Sequence, residues 1–200
     1  MAHRMKIAPR ALLAAGLAGA LAGCISFGED PPPSLLTLTA TTSAPAGTGT
    51  QADSSTAIAV IEPGAPQSLN VTRVPVQVTD TEIAYVKDAV WVEKPARLFQ
   101  RLLAETIRTR SGRVVVDGED PAVPTTMQLQ GTLREFGYDA RSGSVVVRFD
   151  AVRGGEGGSI ATRRFEAVVP GVAAEAGPVG DALNRAANDV AAQVAEWIGA

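Results

Sequence analysis

Histidine, cysteine and aromatic side chains are all scarce in this chain. Its 200 residues include one histidine, His3, and one cysteine, Cys24, and aromatics make up 4%. If the segment before Cys24 is removed, no histidine remains. Ser-His-Asp and Cys-His nucleophile systems are then excluded, as are zinc sites built from imidazole or paired thiolates. A lone cysteine closes no disulfide within the chain, so the fold must be held by its apolar core. Acids are plentiful, but spacing alone places no two carboxylates in a common cleft. The residues therefore predict no cofactor, no metal and no catalytic site.

Net charge narrows the partners. The chain is formally −3, with 18 basic and 21 acidic residues. Arg4, Lys6 and Arg10 precede Cys24 and no acid does, which leaves 15 bases against 21 acids, or −6, for the remainder. A nucleic-acid binder needs a basic stripe to neutralise phosphates, and this balance argues against one. It argues equally against general electrostatic adhesion to anionic lipid. Hydrophobic content of 46% over this length suits one globular domain with extensions.

The N-terminus has its own organisation. MAHRMKIAPR supplies a positive region, ALLAAGLAGALAG supplies 13 small and apolar residues, and Cys24 follows. At about 1.5 Å per helical residue that run spans about 20 Å, short of the ~30 Å hydrocarbon core, so a secretory signal over residues 1–23 fits better than a transmembrane helix. Leu21, Ala22, Gly23 and Cys24 resemble the bacterial lipobox, whose cysteine receives a diacylglycerol before a peptidase cuts ahead of it. Two acyl chains, palmitate among the usual ones, anchor a protein stably where one does not. Ile25 rather than Asp after the cysteine resembles the Gram-negative sorting signal for the outer membrane, with the domain facing the periplasm.

Residues 24–55 read as a lipidated N-terminus and flexible tether. The stretches PPP and TTSAPAGTGTQADSST are too poor in large side chains to offset their ordering entropy. Within them LLTLTA alternates apolar and Thr, and reads either as a short strand at 35–40, an edge strand of the domain, or as an unstructured patch.

A domain over 56–200 is predicted from its periodicities. AIAVIEP is a short strand ended by Pro63 and Gly64, and PVQVTDTEIAYVKDAVWVE reads as two or three extended pieces linked at Thr79 to Thr81 and at Lys87-Asp88. Pro95 opens a helix with Leu98, Phe99, Leu102, Leu103 and Ile107 on one face, and Gly112 ends it. RVVVDG reads as a fully buried strand. Strict alternation then marks Met127 to Arg134, Val145 to Ala151 and SIATRRFEAVV as strands of an antiparallel meander joined by hairpin turns at ARSGS and RGGEGGS. From Pro178 a second helix carries a stripe of Val179, Leu183, Ala186, Val190, Val194 and Trp197. The expected fold is α+β: one mainly antiparallel sheet with two amphipathic helices packed on one face.

Neither chemistry-like motif survives inspection. RGGEGGS fits neither phosphate-loop pattern and lies between two strands, so it reads as a hairpin tip. The acids Asp117, Glu119 and Asp120 in DGEDP lack calcium-loop spacing and read as a solvated turn. Leu69, Tyr85 and Trp91 stay open between core and partner interface, because large apolar and aromatic side chains serve both.

The lipobox, the LxL strand, IAV with its proline turn, SLNVTRVPVQVTDTEIAYVKDAVWVEKPARLFQRLLAETI and VVVD together resemble the ABC-type transport auxiliary lipoprotein family, whose best-known branch is the paraquat-inducible protein C-like lipoproteins. The aligned feature is I-x-Y…W-x-E, here Ile83, Tyr85, Trp91 and Glu93. The resemblance implies a non-catalytic lipoprotein acting beside an ABC transporter and a periplasmic MCE-domain protein that moves lipid between the two membranes. It also implies a ring-like homo-oligomer on the outer membrane. The family's usual Tyr-Leu dipeptide is replaced here by Ser68-Leu69. Two other functions share the residue-level features: a structural assembly lipoprotein for an outer-membrane protein or cell-wall synthase, and a carboxylate-dependent glycan hydrolase, which would need two acids about 5–10 Å apart in a cleft.

Overall fold

The computed structural model describes residues 34–47, 49, 57–118, 125–155 and 158–199. The signal segment, the lipobox and Ile25 lie outside these, as do residues 26–33, 48 and 50–55 of the tether and Glu119, Asp120 and Glu156 of DGEDP and RGGEGGS.

Strand β1 (Ile58–Val60) is buried at all three positions, as expected for an apolar run with a neighbour on each side. A 3-10 turn at Gln67–Leu69 leads into β2 (Arg73–Gln77), which forms a hairpin with β3 (Ile83–Val90). Lys87-Asp88 is not a break. It lies inside β3, where the register shifts opposite Arg73 to Pro75 and Asp88 takes a positive φ of 58°. That irregularity lets both Val86 and Ala89 point into the core.

Helix α1 (Pro95–Ser111) runs as the sequence predicts, with Pro95 at its start and Gly112 in the left-handed region at φ 64°. Then β4 (Val115–Asp117) lies parallel beside β1 as an edge strand. It is buried only at Val115, because it has a neighbour on one side alone; the fully buried strand expected here is corrected to an edge. β5 (Met127–Asp139), β6 (Ser144–Gly154) and β7 (Ile160–Pro170) form the predicted meander. Helix α2 (Ala176–Gly199) begins two residues before Pro178, a first-turn position where proline is tolerated.

Among the described residues seven strands form one sheet, and it is mixed rather than mainly antiparallel. β1 pairs in parallel with both β4 and β5, and β2 pairs in parallel with β5 further along. Alternation identifies a strand and its faces, whereas direction is set by the connection, and these short strands are joined by a turn or by α1 instead of tight hairpins. β1 and β2 thus share one edge of β5 while β6 takes the other.

Both helices cover one face of the sheet. Leu129, Leu133, Phe136, Val147, Phe149 and Phe165 project into this layer and are fully buried. Ring contacts run from Trp91 to Phe136 (5.5 Å), Phe136 to Phe99 (6.3 Å) and Phe99 to Phe149 (5.3 Å), joining strand and helix layers. The buried Gln100 amide donates to the Val60 carbonyl at 2.8 Å, so this polar group is satisfied.

Gly131 in β5 faces Phe149 so closely that a Cβ there would stand 2.8 Å from the ring and overlap the Asp150 carbonyl, whereas Gly154 has open space around it. Gly131→Ala should therefore destabilise by about 1–3 kcal/mol through overpacking, and Gly154→Ala should stay within about 0.5 kcal/mol. Denaturant midpoints of the two variants check this.

Candidate functional site

Of the three residues read as a partner interface, the structure places two inside. Trp91 is 1% exposed and packs on Phe136, and Leu69 is 2% exposed beneath the 3-10 turn. Both are core residues, because β3 and the turn fold their apolar sides over β5. Tyr85 alone reaches the surface, half-buried, with the Arg73 guanidinium 4.3 Å above its ring.

The LLTLTA segment does something periodicity does not describe. Leu36 makes a parallel bridge to Trp91, its N–H donating to the Val90 carbonyl (2.7 Å) and its carbonyl accepting from Val92 N–H (2.9 Å). The chain then leaves the sheet and crosses the helices. Thr39 N–H donates to Asn184 Oδ1 (2.8 Å), Asn188 Nδ2 donates to the Thr39 carbonyl (2.9 Å), and Thr41 N–H donates to Asn188 Oδ1 (2.9 Å). Further on, Ala44 N–H donates to Glu105 of α1 at 2.7 Å. Leu36, Leu38 and Ala40, the inward side of the alternation, pack against the core. Gly180 makes room for this strap, since a Cβ there would lie 2.6 Å from Leu36 Cδ2. Residues 34–44 thus belong to the folded unit, although their composition reads as tether.

The sequence reading missed the residues that hold the strap: Gly180, Asn184, Asn188 and Glu105. One signal was available. Asn is a poor interior helix residue, yet two stand four apart on α2 beside its apolar stripe, and a buried Asn needs partners for its amide.

The uncovered face of the sheet carries paired charges. Asp150 accepts from Arg134 (2.8 Å) and Arg164 (2.5 Å), and Arg148 bridges Glu135 and Glu166. The bond from Arg164, reinforced by Arg134, holds the Asp150 carboxyl well below the usual carboxylate range. Beside this face a groove of about 260 Å³ runs between the 3-10 turn, β2 and β5, with Ser68, Pro75, Phe136, Gly137 and Val146 among its walls. At its mouth Arg141 joins Asp139 to Asp80, and its bond to Asp139 lowers that carboxyl's pKa. A general acid needs a raised carboxyl pKa, which is the opposite shift.

The family described as "ABC-type transport auxiliary lipoprotein component" matches residues 36–195. The chain belongs to this family. The match begins at Leu36, the residue that bridges to Trp91, so the family's shared unit takes in the strap as well as the sheet and helices. A crystal structure of a Xanthomonas campestris protein of the DUF330 family has the same fold, with a TM-score of 0.66 at 16% identity over 82% of this chain and 94% of that one. A second, of an uncharacterized protein, gives 0.64 at 14% identity over 82% and 99%. No curated protein matches the chain significantly.

In this auxiliary lipoprotein the I-x-Y…W-x-E pattern has a structural account. Trp91 fills the core and Glu93 binds Arg101 (2.5 Å) and Arg97 (3.3 Å), fixing the end of β3 to the start of α1. Ile83 stands exposed beside the β2–β3 turn. Among the described residues no helix is long and apolar enough to cross a membrane.

Two outcomes follow. Asn188→Ala removes both sides of the clamp on Thr39 and Thr41; it should cost about 1–3 kcal/mol and expose residues 34–47 to proteolysis before the rest of the domain, as read by limited digestion and mass spectrometry. Asp150 has a depressed folded pKa, so its contribution is complete above the unfolded carboxylate value near 4 and is lost as pH falls toward the folded value. Asp150→Asn should lower stability at neutral pH by about 1 kcal/mol, and the gap to the parent should close below about pH 4; unfolding midpoints across that range check it.

Proposed function

We propose that this family member is a non-catalytic, lipid-anchored outer-membrane component of an MCE/ABC-type intermembrane lipid transport system. The observation that carries the reading is the family match over 36–195, which makes the protein an auxiliary component of ABC-type transport. Residue-level support for the finer statement is independent of that match. Leu21 to Cys24 form the lipobox, Ile25 takes the position that directs sorting, and the only histidine precedes the proposed cleavage site. The non-catalytic assignment rests on that composition, since a histidine-free mature chain has no imidazole to activate a nucleophile.

In this reading the protein contributes position rather than chemistry. A diacylated Cys24 is stably held in a leaflet, and the folded unit begins at the strap, so the domain stays close to the membrane while offering its surfaces to the MCE-domain protein and to further copies of itself.

The test is direct. Mass spectrometry of the mature protein should find an acylated Cys24 at the N-terminus, and Cys24→Ser should leave a folded domain that no longer sediments with membranes. Affinity purification from detergent-solubilised envelopes should recover MCE-domain and ABC subunits. Exclusive recovery of an outer-membrane barrel or a cell-wall synthase would defeat the transport assignment in favour of an assembly role.

A further inference from the structure

The outer strands of the sheet differ in how much bare edge they offer. β4 is three residues long. β3 is interrupted at Asp88, and the strap is bonded beside its end at Val90 and Val92. β7 runs for 11 residues, Ile160–Pro170, and pairs with β6 without a register shift; at this length it extends about 37 Å. Among the described residues no strand pairs with its other edge. A long, regular, unpaired edge is a template for another strand.

The hairpin fixes which groups this edge presents. Gly155 N–H donates to the Ser159 carbonyl at 3.0 Å, and with the register unbroken from there the odd-numbered residues of β7 bond to β6. Even-numbered residues turn their N–H and C=O outward. In agreement, the Glu166 carbonyl accepts from Gln193 of α2 at 3.3 Å. The even-numbered side chains Thr162, Arg164, Glu166 and Val168 are exposed, whereas Phe165 is buried against Trp197 on the helix side.

Two rows of charge end at this edge with opposite signs. Glu135, Arg148 and Glu166 form one row, and Arg134, Asp150 and Arg164 form the other. A two-fold axis through Phe165, the midpoint of the strand, brings up a second copy in the antiparallel direction with its Glu166 opposite Arg164 and its Arg164 opposite Glu166. Each row of one copy then continues into the other row of its mate, alternating in sign across six side chains. The same register overlaps the whole strand, Ile160 opposite Pro170, and forms about ten backbone hydrogen bonds. Sliding by two residues sets Arg164 against Arg164 or Glu166 against Glu166, and sliding by one turns the bonding groups away from each other. On the helix side Arg163 lies 5.1 Å over the Phe165 ring and would face Ala167 of the second copy. One and two turns before Gln193 on α2 stand Asp189 and Arg185, of opposite sign.

We propose that the outer edge of β7 is a homodimer interface, at which two copies pair antiparallel about Phe165 and join their sheets into one. An isologous contact of this kind closes a pair, whereas the ring implied by the family resemblance needs a heterologous contact elsewhere. The proposal uses the folded unit alone, so it stands or falls independently of the acylation of Cys24 and of the transport assignment.

Charge reversal tests the register. Full-length protein in detergent, its mass read by light scattering with the micelle subtracted, should be a dimer at micromolar concentration. Arg164→Glu sets two acids opposite each other across the axis and Glu166→Arg sets two bases, so each variant alone should dimerise at least about tenfold more weakly. Mixed in equal amounts they should regain the dimer, because Glu at 164 of one copy meets Arg at 166 of the other and the remaining pair is unaltered. Thr162→Pro tests the backbone: the N–H it removes faces away from β6, where proline is tolerated, so circular dichroism and the thermal midpoint should change little while the dimer is lost. A monomeric parent protein, or a mixture no more dimeric than its components, would overturn the pairing and leave the edge to a strand of another protein. A folded Thr162→Pro variant that dimerises like the parent would also rule it out, whatever the charge variants do.

Discussion

Strand β5 must keep one face against the helices for 13 residues while serving three neighbours, and the irregularity at Arg134 and Glu135 is what permits it. Side chains along a strand alternate with period two, so Leu129 and Leu133 pointing inward would send Phe136 and Tyr138 outward. The bulge opposes two residues of β5 to Arg148 alone and reverses the parity beyond it. Phe136 then reaches Trp91 and Phe99, and Tyr138 donates to the Val172 carbonyl at 3.0 Å, closing the link to α2. Arg134 and Glu135 both face solvent, where each finds a partner of opposite charge on β6. The same residue insertion thus builds the core on one side and the charged face on the other.

Most elements were legible because their signals are local. Pro95 and Gly112 mark a helix by what they do to the backbone within it and after it, and the alternation in β6 and β7 survives intact as buried Val145, Val147, Phe149 and Phe165. What stayed hidden depends on distant groups. The parallel direction of β1 and β2 is decided by where β5 lies, and no residue in either strand records it. Bulges at Asp88 and Arg134 shift a parity that alternation assumes constant. Leu69 and Trp91 sit where the sequence allows either a surface anchor or a core plug, and only the position of Phe136 and the 3-10 turn decides for the core. LLTLTA has a strand's alternation, yet beyond Leu36 its backbone partners are side-chain amides on a helix, a pairing that no strand pattern anticipates.

The strap ties the N-terminal side of the folded unit into this packing. Its fastenings lie in series along the chain: first the two backbone bonds of Leu36 to β3, then the Asn184 and Asn188 clamp, then Glu105. Leu36, the first of them, touches both layers at once, bonded to Val90 and Val92 and seated on Gly180 of α2. At that first point Leu36 is paired with Trp91, and Trp91 is packed on Phe136 of β5, the strand on which the sheet is organised. The family match begins at Leu36, so the shared unit starts where the chain is first tied to the sheet.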